Sequence, residues 1–396
     1  MNPNFHFPRA CAAAVLSYIG MSCAAETNLF TSIRPDFATG TARAAVVNPA
    51  PLVHTTQIFP ADAKGDIVAQ TQQALKELGA VLKSAQSSLE HIVKLNIYVA
   101  RAELTPAVQK VLARQFTSAA KPAVSFVGGE QPQPGVLVTM DAVAVSKMKT
   151  SGHAVPLTFG KNKRDSFASA AVLPPSDAIY VAGMADKAPL AEATRNTLEK
   201  LLGAIGHFEL AHKDIVQLKA FVTPMSEAET VREEIRKFFQ GKPVPPLVLV
   251  EWVSSSVPVE IELIAAAPKT TNASDTISYH TPPGTTSAPV YSRVARIHGG
   301  RRIYVSGLCG QSEQENDVKE IFAELTDLVK QNGSDFNHLV KATYYYSDPS
   351  ANKRLDAFRP TVFDPKRPPA ASKARVPDAG FPGKGITLDM IAVSAP

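Results

Sequence analysis

Two periods of apolar and polar positions run along this chain, and both recur three times. The first is a strand-like alternation over residues 91–99, 214–222 and 338–346, rich in β-branched and aromatic side chains. Ile92, Ile215 and Leu339 begin its apolar part at intervals of 123 and 124 residues. The second is a helical period. It predicts helices over 66–84, 190–205 and 315–331 before the strands, and over 105–116, 227–239 and 351–363 after them. In the first of these, Ile67, Ala74, Leu75, Leu78 and Leu82 share one face. Each second helix is followed by a turn (Lys121-Pro122, Lys242-Pro243, Arg367-Pro368) and a closing strand at 137–144, 259–265 or 385–392.

A repeat of this length means one structural unit copied in tandem. Each copy reads β-β-α-β-α-β-β, an α+β unit whose helices cover one face of a mixed sheet. Three uncovered sheet faces in one chain can cover one another about a pseudo-threefold axis, so a monomeric, single-chain pseudotrimer is expected. The divisions expected are a leader at 1–25, modules at 26–148 and 149–268, a Ser/Thr/Pro-rich linker at 269–287 and a third module at 288–396.

The N-terminus departs from the repeat. Arg9 is the only charged residue before Glu26, and it precedes a short apolar run that exits through Ser22-Cys23-Ala24-Ala25. That order is expected of a secretory signal peptide, and hence of a secreted or periplasmic protein. Two of the three cysteines, Cys11 and Cys23, lie in this segment and leave Cys309 without a partner for an intramolecular disulfide. No later stretch is apolar for long enough to span a membrane. The chain's 41 basic and 36 acidic residues give a formal charge of +5, dispersed with no basic run, so no nucleic-acid footprint is expected. The histidines show no metal-ligand spacing, and no phosphate-binding glycine loop or Gly-x-Ser-x-Gly elbow occurs. No metal and no cofactor are expected.

The order helix, Ile-Val-Lys strand, helix, Lys-Pro turn and Val-Glu-Ile-Glu-Leu-Ile-Ala strand resembles the RidA (YjgF-like, L-PSP) family of imine deaminases, once per module. The resemblance implies ligand clefts between modules and a small molecule bearing a carboxylate. The family holds that carboxylate with an Arg after the turn. The matching positions here are Val124, Pro245 and Ala371, so the Arg is absent from all three modules. The family's Tyr matches Ala42, Phe167 and Tyr291. Its Ser-Gly matches Thr55-Thr56, Ala182-Gly183 and Ser306-Gly307. Its helix Asn matches Gln109, Arg232 and Asp356, and its pocket Glu matches Thr139, Glu260 and Thr387.

On this resemblance, Glu260 and Cys309 are the candidate catalytic groups. Tyr291, Ser306, Gly307, Lys373, Arg375, Asp356 and Arg232 are the candidate ligand contacts. Two functions stay open. One is a carboxylate-binding relative that has lost the deaminase chemistry. The other is an imine hydrolase in which Lys373 or Arg232 replaces the lost Arg. Blander readings stand beside them: Lys373 and Arg375 as a solvated strand edge, and Cys309 as a small packed residue. Asp141, Glu262 and Asp389, at one position in every copy, suggest polar groups near the axis.

Overall fold

A computed structural model describes Met1 and residues 29–157, 167–310 and 315–396. The expected leader, with Cys11 and Cys23, lies outside the described residues. The first module runs β1 Phe30–Asp36, β2 Thr41–Val47, β3 Leu52–Thr55, α1 Ile67–Ser84, β4 Ile92–Val99, α2 Thr105–Gln115, β5 Ala123–Gly128 and β6 Val138–Val145. The second repeats the order with β7 Val155–Leu157, β8 Ala170–Leu173, β9 Asp177–Ala185, α3 Leu190–Gly206, β10 Ile215–Val222, α4 Ala228–Phe239, β11 Leu247–Glu251 and β12 Val259–Ala267. The third has β13 Ile277–His280, β14 Val294–Ile297, β15 Arg302–Val305, α5 Asp317–Gln331, β16 Leu339–Tyr346, α6 Pro349–Val362, β17 Ala370–Arg375 and β18 Ile386–Val393. Each unit therefore carries one lead-in strand more than the pattern predicts. The segment 269–287, expected as a linker, contains β13. Four residues are enough for an edge strand when a neighbour supplies the ladder, and such a run is too short to register as periodicity.

Sequence and packing agree on why the helices form. Asp66 caps α1 by accepting from the Ala69 N–H at 2.9 Å. The apolar stripe of α1, with Leu75, Leu78 and Leu82 fully buried, packs on the outer face of its module's sheet. Equivalent layers form under α3–α4 and α5–α6.

The sheets are joined by hand-over. In each module the long strand lies between the closing strands, as in β5-β4-β6-β3, and the next module's first strands extend that sheet. Thus β8 and β7 continue the first sheet, β14 and β13 continue the second, and β2 and β1 continue the third. One parallel bridge closes each junction: Ala42 with Ala123, Phe167 with Val244, and Ser292 with Ala370. The chain therefore forms a ring of strands with its helices outside.

A register shift recurs at the start of β4, β10 and β16, after which alternate residues point inward in layers. Val93, Val216 and Val340 join one apolar layer, and Tyr98, Phe221 and Tyr345 another. Between them lies a polar layer around a cavity of about 60 Å³. It contains Lys94, Lys219 and Lys341 together with Asp141, Glu262 and Asp389, so cations and carboxylates balance. Unpaired charges would not survive such burial. Lys94 of the first module reaches Asp389 of the third at 2.8 Å, and Lys341 of the third reaches Glu262 of the second at 2.7 Å. Asp141 accepts from Tyr98 Oη at 2.7 Å and Asn96 Nδ2 at 3.0 Å, and burial pushes its carboxyl above the ordinary range. The three recurring acids are therefore part of the ring's interior.

Candidate functional site

The clefts expected of the family would lie where the closing strands of one module meet the entering strands of the next. Ladder register settles which residues correspond. Leu95 pairs with Val124, Leu218 with Leu247 and Ala342 with Ala371. In the second module the position expected at Pro245 is therefore held by Leu247. The run Val244-Pro245-Pro246 lengthens the turn by two residues, which a count from Lys242 misses. The Gln57 N–H donates to the Leu247 carbonyl as the Gly307 N–H donates to that of Val124, both at 3.0 Å. The first module's counterpart of Ser-Gly is thus Thr56-Gln57, one residue on from the expected Thr55-Thr56. Likewise Thr41, one before the expected Ala42, corresponds to Phe167 and Tyr291: the next N–H, from Ala42, Ala168 and Ser292, donates to Pro122, Val244 and Pro369. None of these shifts restores an Arg after the turn.

The expected ligand contacts are divided among three clefts. Arg232 lies between modules one and two, in a cavity of about 420 Å³ lined by Thr56, Gln57, Phe167, Ser169 and Arg236. Its guanidinium carbon lies 4.7 Å from the Phe167 ring centre, and its Nε is 3.4 Å from Glu229. Gln57 fills the glycine position there. It donates to Thr139 at 2.7 Å and accepts from the Leu249 N–H at 3.1 Å.

Ser306, Gly307 and Cys309 lie in the cleft between modules three and one. Ser306 is buried and links the modules, accepting from the Val124 N–H at 2.8 Å and donating to the Ala42 carbonyl. Cys309 Sγ is 3.0 Å from Thr387 Oγ1, and burial pushes its thiol up, away from the thiolate a nucleophile needs. That is the environment of a packed cysteine.

Glu260 and Tyr291 both neighbour Arg293 at the junction of modules two and three, with Lys373, Asp356 and Arg375 in the third module. Lys373 Nζ is 2.8 Å from both oxygens of Asp356, so its charge is engaged within its own module. Arg375 is exposed, and its carbonyl accepts from the Val253 N–H at 2.8 Å. Glu260 packs beneath Gly183: a Cβ at Gly183 would fall 1.9 Å from Glu260 Oε1, so only glycine leaves that space. Burial first, then the neighbouring Glu262, push the Glu260 carboxyl up to about 7, against the pull of Lys341 and Arg293.

The last of these cations is one that motif matching missed. Arg293 is buried, donates from Nη1 to the Gly183 carbonyl at 2.7 Å and from Nε to Thr286 at 3.1 Å, and lies 5.4 Å from the Tyr291 ring centre. Among the described residues no carboxylate comes within 4.0 Å of it. Its counterpart Arg43 is paired with Glu324, Nε donating at 2.7 Å. The signal was an Arg two residues after the Tyr position, in both Thr41-Ala42-Arg43 and Tyr291-Ser292-Arg293.

Comparisons with known proteins establish the family. The profile of the family described as endoribonuclease L-PSP matches residues 44–146 and 168–267, about half of the chain, in two successive copies. The chain belongs to that family, the RidA family, and carries its module in repeated form. A RutC family protein of Synechocystis is 34% identical over 82 residues, a match spanning 21% of this chain and 63% of that relative. Among solved structures, a YjgF family member from Mycobacterium tuberculosis is 29% identical, covering 29% of this chain and 97% of that one with a TM-score of 0.23. A conserved Rid family protein from Yersinia pestis is 24% identical, covering 30% and 98% with a TM-score of 0.27.

Proposed function

We propose that the cleft between the second and third modules binds a small carboxylate-bearing molecule, with Arg293 holding the carboxylate and Glu260 placed beside it as a proton donor and acceptor. The observation that carries this reading is a coincidence found in that cleft. Gly183, Glu260 and Tyr291 stand together there with a guanidinium that no carboxylate occupies among the described residues. In the clefts on either side, Thr139 or Thr387 stands where Glu260 stands, and Arg43 is already paired. A planar guanidinium suits a carboxylate better than an ammonium does, and it stays charged at any working pH. Lys373 and Arg232, with their own acidic partners, are poorer replacements for the family's Arg.

An acid titrating near neutrality can accept a proton from an attacking water and return one to a leaving amine. Hydrolysis of a small imine to a carbonyl compound and ammonia is therefore the reaction this cleft fits. Binding without turnover is the competing reading. We further propose that the chain is exported and works as a monomeric, single-chain pseudotrimer, on the strength of the N-terminal pattern and the three-module ring.

Isothermal titration with a short 2-oxo acid tests the binding. Arg293→Ala should weaken it about 10- to 150-fold, the worth of one charged hydrogen-bonded contact. Unchanged affinity in Arg293→Ala would overturn the assignment. An ammonia-release assay on a freshly generated imine then separates hydrolysis from binding alone.

A further inference from the structure

Away from the clefts, where β13 and β14 join the start of β9, three side chains form a hydrogen-bonded line. Ser278 Oγ is 2.7 Å from His298 Nε2, and His298 Nδ1 is 2.9 Å from Asp177 Oδ2. Asp177 is fully buried, whereas Ser278 and His298 are partly exposed. Hydroxyl, imidazole and buried carboxylate in this order, at these distances, are what activates a serine for attack on a carbonyl carbon.

Proton bookkeeping assigns the tautomers. An ionised Asp177 can only accept, so His298 Nδ1 carries its proton and His298 Nε2 must accept from Ser278. His280 Nε2, 2.8 Å from the same oxygen, then donates to it. The Ser278 proton therefore points at His298, as the chemistry requires. Backbone pairing fixes this line. Ser278 lies opposite Arg296 in the β13–β14 ladder, and the His298 N–H donates to the Thr276 carbonyl at 2.8 Å. The Phe208 ring, 5.1 Å from that of His280, supplies an apolar wall beside the hydroxyl.

We propose that Ser278, His298 and Asp177 form a second nucleophilic centre, unrelated to the carboxylate cleft, that accepts the acyl group of small activated esters. In acylation, Ser278 Oγ bonds to the carbonyl carbon while its proton passes to His298 Nε2. The ester C–O bond breaks, and the leaving alkoxide takes that proton. In deacylation, water attacks the acyl carbon and gives a proton to His298, the acyl–Oγ bond breaks, and the proton returns to Oγ. The sum is ester plus water giving acid plus alcohol. Asp177 keeps its charge throughout and holds the imidazole. Arg296 Nε and Thr270 also donate to Asp177, at 3.1 and 2.5 Å. Asp177 therefore orients His298 more than it stabilises an imidazolium, which slows acylation and deacylation alike.

The full chain, incubated with a fluorophosphonate probe and digested, should carry the adduct on the peptide containing Ser278. Ser278→Ala should lose it, and His298→Gln should slow labelling by about a hundredfold, the usual worth of a positioned general base. Ser118→Ala, at an exposed serine in the turn after the first module's second helix, should label like the parent. Absence of adduct on Ser278 in the unaltered chain, a reading that needs no variant to fold, would overturn the proposal. So would labelling of Ser278 that proceeds equally fast in a folded His298→Gln.

Discussion

The carboxyl of Glu260 gives the sharpest quantitative test. In the folded chain it titrates near 7, whereas an unperturbed Glu titrates near 4.5. Between these values the folded state holds a proton that the unfolded state has released, so stability must fall as pH rises through this window. A difference of 2.5 units at 1.36 kcal/mol each is of the order of 3 kcal/mol, fully lost above about pH 7. Glu260→Gln keeps the shape and cannot ionise. The two proteins should therefore unfold alike in urea near pH 4.5, and the variant should become the more stable by the order of 3 kcal/mol at pH 8. Taking the difference between them at each pH cancels unfolding steps that do not involve this cleft. A carbon-13 carboxyl titration, assigned by the same variant, should show a midpoint near 7. A midpoint near 4.5, or parallel stability curves, would refute the reasoning that burial and Glu262 together hold Glu260 protonated.

Three other outcomes follow from the same geometry. Gly183→Ala should force the Glu260 carboxyl from its place, and the carbon-13 midpoint should drop toward 4.5. Lys341→Met leaves Glu262 buried without its cation and should cost about 3–5 kcal/mol by urea unfolding; replacing Glu262 by Leu as well should recover most of it. Asp66→Ala removes the cap of α1 and should lower stability by about 1 kcal/mol, with little effect on the 2-oxo acid titration.

The repeat, the six helices and the three long strands were legible in the sequence because each rests on local periodicity over eight or more residues. The family resemblance followed from their order. Asp141, Glu262 and Asp389 could also be placed near an axis from recurrence alone. What recurrence could not convey is that Lys94 and Lys341 find their acids in other modules, 295 and 79 positions away in the chain. The site was harder to read. Matching one motif at a time assigned Ser306 and Cys309 to the third module and Arg232 and Glu260 to the second without saying which junction each lines, and they belong to three different ones. Each cleft takes one wall from the closing strands of one module and the other from the entering strands of the next, and that hand-over leaves no trace in local pattern. Arg293 escaped because its neighbours Gly183 and Glu260 belong to the preceding module and not to its own strand. The chain's own order of residues determined the modules and their helices. The tertiary structure alone decided which walls face each other, because strand pairing between modules is set by burial and backbone hydrogen bonds formed far apart in sequence.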